Sequence, residues 1–125
     1  MNDLNQIKTV VFPVAGIGSR FLPVTKTVPK ELLPILNIPL IEYAVNEARE
    51  AGIERFIFVS SPEKKSILDY FKKDTKLEGY LKNKNSDLLT GIEKNIISDD
   101  SLIEVVQEEP LGLGHAIWCA KEYIE

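Results

Sequence analysis

The stretch from Ala15 to Arg20, AGIGSR, joins two glycines to a serine hydroxyl and a guanidinium, and Lys30 follows ten positions after Arg20. Glycines let a backbone bend tightly and aim successive N–H groups at one point, which makes a nest for an anion. Arginine suits bidentate contact with phosphate oxygens, and lysine serves as a point charge. Pro23, Pro29 and Pro34 stiffen the same segment. A loop held in shape before its ligand arrives loses less freedom on binding. These residue types in this order point to phosphate binding.

Two familiar phosphate loops fail on specific positions. A Walker loop needs a second glycine at position 21 and a lysine after it, and Phe21 and Leu22 stand there. A dinucleotide fingerprint needs its third glycine where Phe21 is, with a helix straight after the turn, and Pro23 and Pro29 oppose that helix. The G-x-G pair taken alone is equally well a plain tight turn.

The elements that position this loop are legible from apolar periodicity. Ile7 to Val14 is a β-branched run ending in turn residues, as in a buried parallel strand, with Pro13 at its carboxyl end. Leu40, Ile41, Ala44, Val45 and Ala48 recur at helical spacing, with polar residues including Glu42 between them and Gly52 as terminator. Glu54 to Ser61 is a second strand, closed by Pro62. Lys64 to Ile97 reads as helical pieces with one stripe at Ile67, Leu68 and Phe71 and another at Leu88, Leu89, Ile92 and Ile96. The polar KNKNSD segment is an exposed joint between them. Ser101 to Gln107 is a third strand, and a helix follows with an inner face at Leu113, Ala116, Ile117, Ala120 and Ile124. The order β-α-β-α-α-β-α implies an α/β domain with right-handed crossovers, and such a domain would continue into a further strand. A sheet edge left open there carries a risk of self-association.

Composition narrows the function. The chain has 125 residues, 44% hydrophobic and 27% charged, enough for one domain or a large piece of one. Its net charge of -4 gives no overall cationic field to draw it to nucleic acid or anionic lipid, so a local anion site on an acidic protein is expected. The polar start MNDLNQIK lacks a signal core, and no segment approaches a membrane span. The single cysteine, Cys119, has no partner, which suits a reducing, cytoplasmic setting.

The segment VAGIGSRFLPVTKTVPKELLPILNIPLIEYAV resembles the signature loop of the sugar-1-phosphate nucleotidylyltransferases, G-x-G-[TS]-R followed by P-x-T-x-x-x-P-K. The bacterial uridylyltransferase branch is the nearest pattern, through Pro13 to Gly16 and Pro29 to Glu31. PLIEYAVNEAREAGI and QEEPLGLGHAIWCA are similar to family segments too. The match covers most of the chain and is loose between Ser61 and Asp100. Ile17 stands for the usual leucine, Ser19 for threonine and Leu32 for methionine.

The resemblance implies a Rossmann-like, doubly wound, mostly parallel sheet of the nucleotide-diphospho-sugar transferase type, stopping after its third βα segment. Residues 1–125 would be the amino-terminal, nucleotide-binding part of a single nucleotidyltransferase domain. The implied substrates are UTP and glucose 1-phosphate, with Mg²⁺ as cofactor and homo-oligomers as the full-length assembly. Ala15 and Gly16 would meet the nucleoside, while Gly18, Arg20 and Lys30 would hold the phosphates. Arg20 and Lys30 would act as the catalytic charges. Gln107 would read the uracil edge, with the Gly112 backbone completing that contact. The family's metal aspartate and sugar site are expected beyond residue 125. Asp99 with Asp100, and Glu108 with Glu109, receive no metal role. A related thymidylyltransferase and a non-catalytic nucleotide-binding fragment are the alternatives. His115 is read as structural or supporting, Trp118, Cys119 and Tyr123 as packing groups, and Glu31 as the partner of a nearby lysine.

Overall fold

The computed structural model describes residues 6–16 and 18–124; Met1 to Asn5, Ile17 and Glu125 lie outside the described residues, and with them the polar start and the Ile17 substitution. Three strands form a parallel sheet in the order β1 (Thr9–Pro13), β4 (Arg55–Ser60), β5 (Leu102–Val106). A two-stranded antiparallel ribbon, β2 (Pro34–Ile35) with β3 (Ile38–Pro39), sits in the connection from β1 to the first helix. The helices are α1 (Leu40–Glu50), α2 (Lys65–Tyr70), α3 (Thr75–Leu81), α4 (Ser86–Glu93) and α5 (Leu113–Cys119). Among the described residues no helix is long and apolar enough to cross a membrane.

The middle strand explains the layering. Phe56 to Ser60 are all buried, because β4 is covered on both faces, and its side chains alternate between two cores. Phe56 and Phe58 point to the first core with Ile41, Val45 and Ala48 of α1, Ile67 and Leu68 of α2, and Phe71. Ile57 and Val59 point to the second with Ala116 and Ala120 of α5. Helices thus cover both faces of the sheet, as the doubly wound expectation requires. Phe58 is flanked by two rings, with centroids 5.1 Å away at Phe12 and 5.6 Å away at Phe71.

The first helix ends as its sequence signals. Gly52 N–H donates to Arg49 O and Ile53 N–H to Ala48 O, the paired bonds of a Schellman closure. Arg49 in its last turn donates to the carbonyls of Lys94 and Ile96, tying α1 to the segment after α4. Glu42, expected on the polar face, is instead buried, and its Oε1 accepts from Tyr70 Oη, which in turn accepts from Asn95 Nδ2. Burial pushes the Tyr70 phenol above its usual pKa, the Asn95 hydrogen bond opposes this, and the Glu42 charge adds to the rise.

Two expected apolar stripes differ from the structure. Ile67, Leu68 and Phe71 are fully buried, but α4 buries no residue and Leu88 is 56% exposed. The face above the sheet is already filled by α1, α2 and Phe71, so α4 packs at the margin against α3. Both marginal helices carry their own caps, Asp74 Oδ1 accepting from Leu77 N–H and Asn85 Oδ1 from Leu88 N–H. The KNKNSD joint between them is exposed throughout.

The second difference is α5. It is turned so that Cys119, Ala116 and Ala120 face the sheet, which leaves Leu113 64% and Ile117 45% exposed. Small alanines let the helix approach closely, and the backbone tightens into a 3₁₀ turn at Lys121–Tyr123 before Ile124 can continue the stripe. Ile124 is exposed.

These placements separate core from margin by measurement. Phe58→Ala should lower unfolding free energy by about 3–5 kcal/mol, whereas Leu88→Ala should cost about 0.5 kcal/mol or less. Urea titrations followed by circular dichroism check both; a large loss at Leu88 would contradict its marginal position.

Candidate nucleotide-binding site

The site begins where the sheet ends. Val14 N–H donates to Val59 O at 2.9 Å, and Gln107 N–H donates to Ser60 O at 2.7 Å. Each bond carries a neighbour of β4 one residue past its strand. The loop after β1 and the residue after β5 therefore rise on either side of β4, at the carboxyl ends of the strands, where open α/β sheets place ligands.

Between them lies a cleft of about 460 Å³ lined by Ala15, Gly16, Gly18, Ser19, Gln107 and Gly112, among others. A second cleft of about 410 Å³ shares Ala15, Gln107 and Pro110 with the first and adds Thr25, Lys26, Lys64 and Glu63. Gln107 stands on the partition and is only 5% exposed. Five residues singled out in the sequence thus meet around one cleft.

Arg20 and Lys30 do not line either cleft. Arg20 is exposed on a 3₁₀ turn, Ser19–Phe21, that starts directly after Gly18. Lys30 opens another, Lys30–Leu32, and its stem lies against Gly18. Gly18 has φ +71°, and a methyl group there would stand 3.1 Å from Thr25 Cγ2 and 3.3 Å from Lys30 Cβ. Glycine is thus favoured twice over at this position, for backbone angle and for space. Gly112, with φ +98°, sits in open surroundings, so only its backbone angle favours glycine.

Three positioning contacts are not legible in the sequence. Thr25 Oγ1 donates to Gly18 O at 2.8 Å, pinning the glycine turn to the proline-bounded arm. The P-x-T spacing is visible, but nothing in the string says which carbonyl the hydroxyl meets. Lys64 Nζ lies 3.0 Å from Glu31 Oε1, with both side chains nearly buried. The sequence predicts a lysine partner for Glu31, and the structure identifies one 33 residues away on the segment after β4. The pair docks the Lys30–Leu32 turn onto that segment. The third contact is His115, whose Nδ1 lies 2.9 Å from Gln107 Nε2.

The lining chemistry also bears on a metal. Among the described residues no carboxylate lines the first cleft, Glu63 and Glu108 line the second, and no group of three or more His, Cys, Asp or Glu stands together. The first cleft thus offers Mg²⁺ no carboxylate of its own.

Fold and cleft together define a doubly wound α/β architecture with a candidate ligand site at the carboxyl ends of its strands. The chain belongs to the nucleotidyl transferase family, whose sequence profile matches residues 9–125. It is 47% identical over 122 residues to the UTP–glucose-1-phosphate uridylyltransferase of Komagataeibacter xylinus, covering 97% of this chain and 43% of that protein. It is 43% identical over 123 residues to the enzyme of the same description in Bacillus subtilis, covering 97% of this chain and 41% of that protein. The UTP-bound UGPase of Acinetobacter baumannii superposes with a TM-score of 0.87 at 48% identity, over 94% of this chain and 41% of that one. The chain therefore spans less than half the length of these relatives.

The buried pair offers a test of how the loop is held. Lys64→Met alone leaves Glu31 without its partner and should cost about 3 kcal/mol, while Lys64→Met with Glu31→Leu should recover most of that loss. Denaturant midpoints of the three proteins decide it; equal loss in the single and double variants would contradict a docking role for the pair.

Proposed function

We propose that this chain is the UTP-binding part of a UTP–glucose-1-phosphate uridylyltransferase. The observation that carries the reading is the meeting of Ala15, Gly16 and Gly18 with Gln107 and Gly112 around one cleft at the strand ends. The identity of 47% with a relative of that description supports it.

In the proposed reaction an oxygen of the glucose 1-phosphate attacks the α-phosphorus of UTP. A new P–O bond forms as the bond to the β-phosphate bridging oxygen breaks, and pyrophosphate leaves with the negative charge. No covalent enzyme intermediate is needed, so the work falls to positioning and charge. Ala15 and Gly16 would pass close along the nucleoside, and Gly18 would set the bend. Arg20 and Lys30, on turns flanking Gly18, would turn toward the phosphates and offset the charge that leaves. Gln107 would accept or donate at the base edge, beside Gly112.

Mg²⁺ belongs to the family resemblance, the first cleft gives it no carboxylate, and no step above passes through a metal. With that lining, the chain by itself would bind nucleotide without turning it over. A cytoplasmic setting accords with this reading, since Cys119 is unpaired.

Calorimetric titration with UTP and GTP is the test. UTP should bind more tightly than GTP, and Arg20→Ala should weaken UTP about tenfold or more while changing unfolding free energy by about 0.5 kcal/mol or less. Equal binding of both nucleotides, or of neither by a chain with a cooperative melt, would defeat the proposal.

A further inference from the structure

The base-reading role of Gln107, which rests on the UTP-binding function proposed for the chain, raises a problem of its own. A glutamine amide accepts at Oε1 and donates at Nε2, and a half-turn about its last bond exchanges the two. Uracil offers an N3–H donor where cytosine offers a bare nitrogen. A freely turning amide satisfies either, so Gln107 alone would discriminate poorly. Specificity needs something that forbids the half-turn.

The structure holds such a device. Gln107 Nε2 donates to Gly112 O at 3.3 Å and lies 2.9 Å from His115 Nδ1, which accepts in the tautomer protonated at Nε2. The Gly112 carbonyl can never donate, and a reversed amide would set Oε1 against it, lone pair to lone pair. His115 Nδ1 must then carry its lone pair, which places the ring proton on Nε2. Cys119 Sγ, one helical turn on, lies 3.8 Å from each ring nitrogen and backs the imidazole. Among the described residues no donor meets Gln107 Oε1, and the residue lines both clefts. The one atom of the amide left for a ligand is an acceptor.

We propose that His115 is a positioning residue which, with the Gly112 carbonyl, locks the Gln107 amide with Oε1 toward the ligand and so sets a preference for uracil over cytosine. In the register where Oε1 faces ring position 3, uracil donates to it and cytosine presents a second lone pair. Loss of the His115 acceptor leaves only the longer Gly112 bond to hold the amide, and the half-turn that admits cytosine becomes accessible.

The experiment compares UTP and CTP binding to the full chain by calorimetry, for the wild type, His115→Phe and His115→Asn. Phenylalanine keeps a ring and removes the acceptor, whereas asparagine keeps an oxygen near the Nδ1 position. The UTP-over-CTP preference should fall about five- to tenfold in His115→Phe, mostly through gained CTP affinity, and should persist in His115→Asn. A preference unchanged in His115→Phe overturns the proposal. Without nucleotide, the Gln107 side-chain NH₂, assigned with Gln107→Leu, should exchange with solvent about tenfold faster in His115→Phe; unchanged exchange overturns the lock as well. Equal binding of UTP and CTP by the wild type overturns the base-reading role alone, whereas binding of neither, with exchange still responding to His115, overturns the nucleotide reading beneath it.

Discussion

The site depends on the register of one buried strand. β4 pairs with β1 from Thr9 opposite Arg55 to Pro13 opposite Val59, and with β5 from Phe56 opposite Leu102 to Ser60 opposite Val106. The pairing runs one bond further on each side, to Val14 and to Gln107. A one-residue slip of β1 would displace the glycine loop, and a slip of β5 would turn Gln107 from the cleft. Because Phe56, Phe58, Ile57 and Val59 are packed on opposite faces, such a slip is strongly opposed. Packing far from the cleft thus fixes the spacing of the groups that line it.

Within that frame the glycine loop is held by short-range devices of different kinds. Thr25 fixes the glycine bend by a hydrogen bond, the stem of Lys30 fills the space a side chain at position 18 would need, and Glu31 anchors the next turn through Lys64. Proline alone would make the chain stiff without saying where it points. The combination gives both stiffness and direction, leaving the Arg20 head group in solvent on a turn whose base is secured. A cation so held keeps its hydration until an anion displaces it, which limits the cost of carrying positive charge without a ligand.

Much of this was legible in the string, for reasons that differ by element. The strands and α1 were readable because their apolar patterns answer to burial in the sheet, the strongest constraint in the chain. Gly18 was readable because it stands in a G-x-G-S-R pattern, and its positive φ and close neighbours agree with glycine there. The β2–β3 ribbon was not, since two-residue strands at Pro34–Ile35 and Ile38–Pro39 have no period to show. The Leu88 stripe and the α5 face misled because periodicity reports an apolar side and not what stands opposite it. At α4 the place on the sheet was already taken, and at α5 alanines and a cysteine were chosen over the bulkier Leu113 and Ile117. Glu42 and the Glu31–Lys64 and His115–Gln107 contacts were illegible as pairs, because their partners are joined only by the fold.

The marginal helices α3 and α4 have a consequence for how this architecture can vary. Each is capped by its own Asp74 or Asn85, and neither contributes to the packing that sets strand register apart from the peripheral Leu81. The exposed bend between them is accordingly a natural port. Descendants of this scaffold could lengthen, shorten or decorate the hairpin at Lys82–Lys84, or carry a fused reporter there, without disturbing the distance between the glycine bend and Gln107.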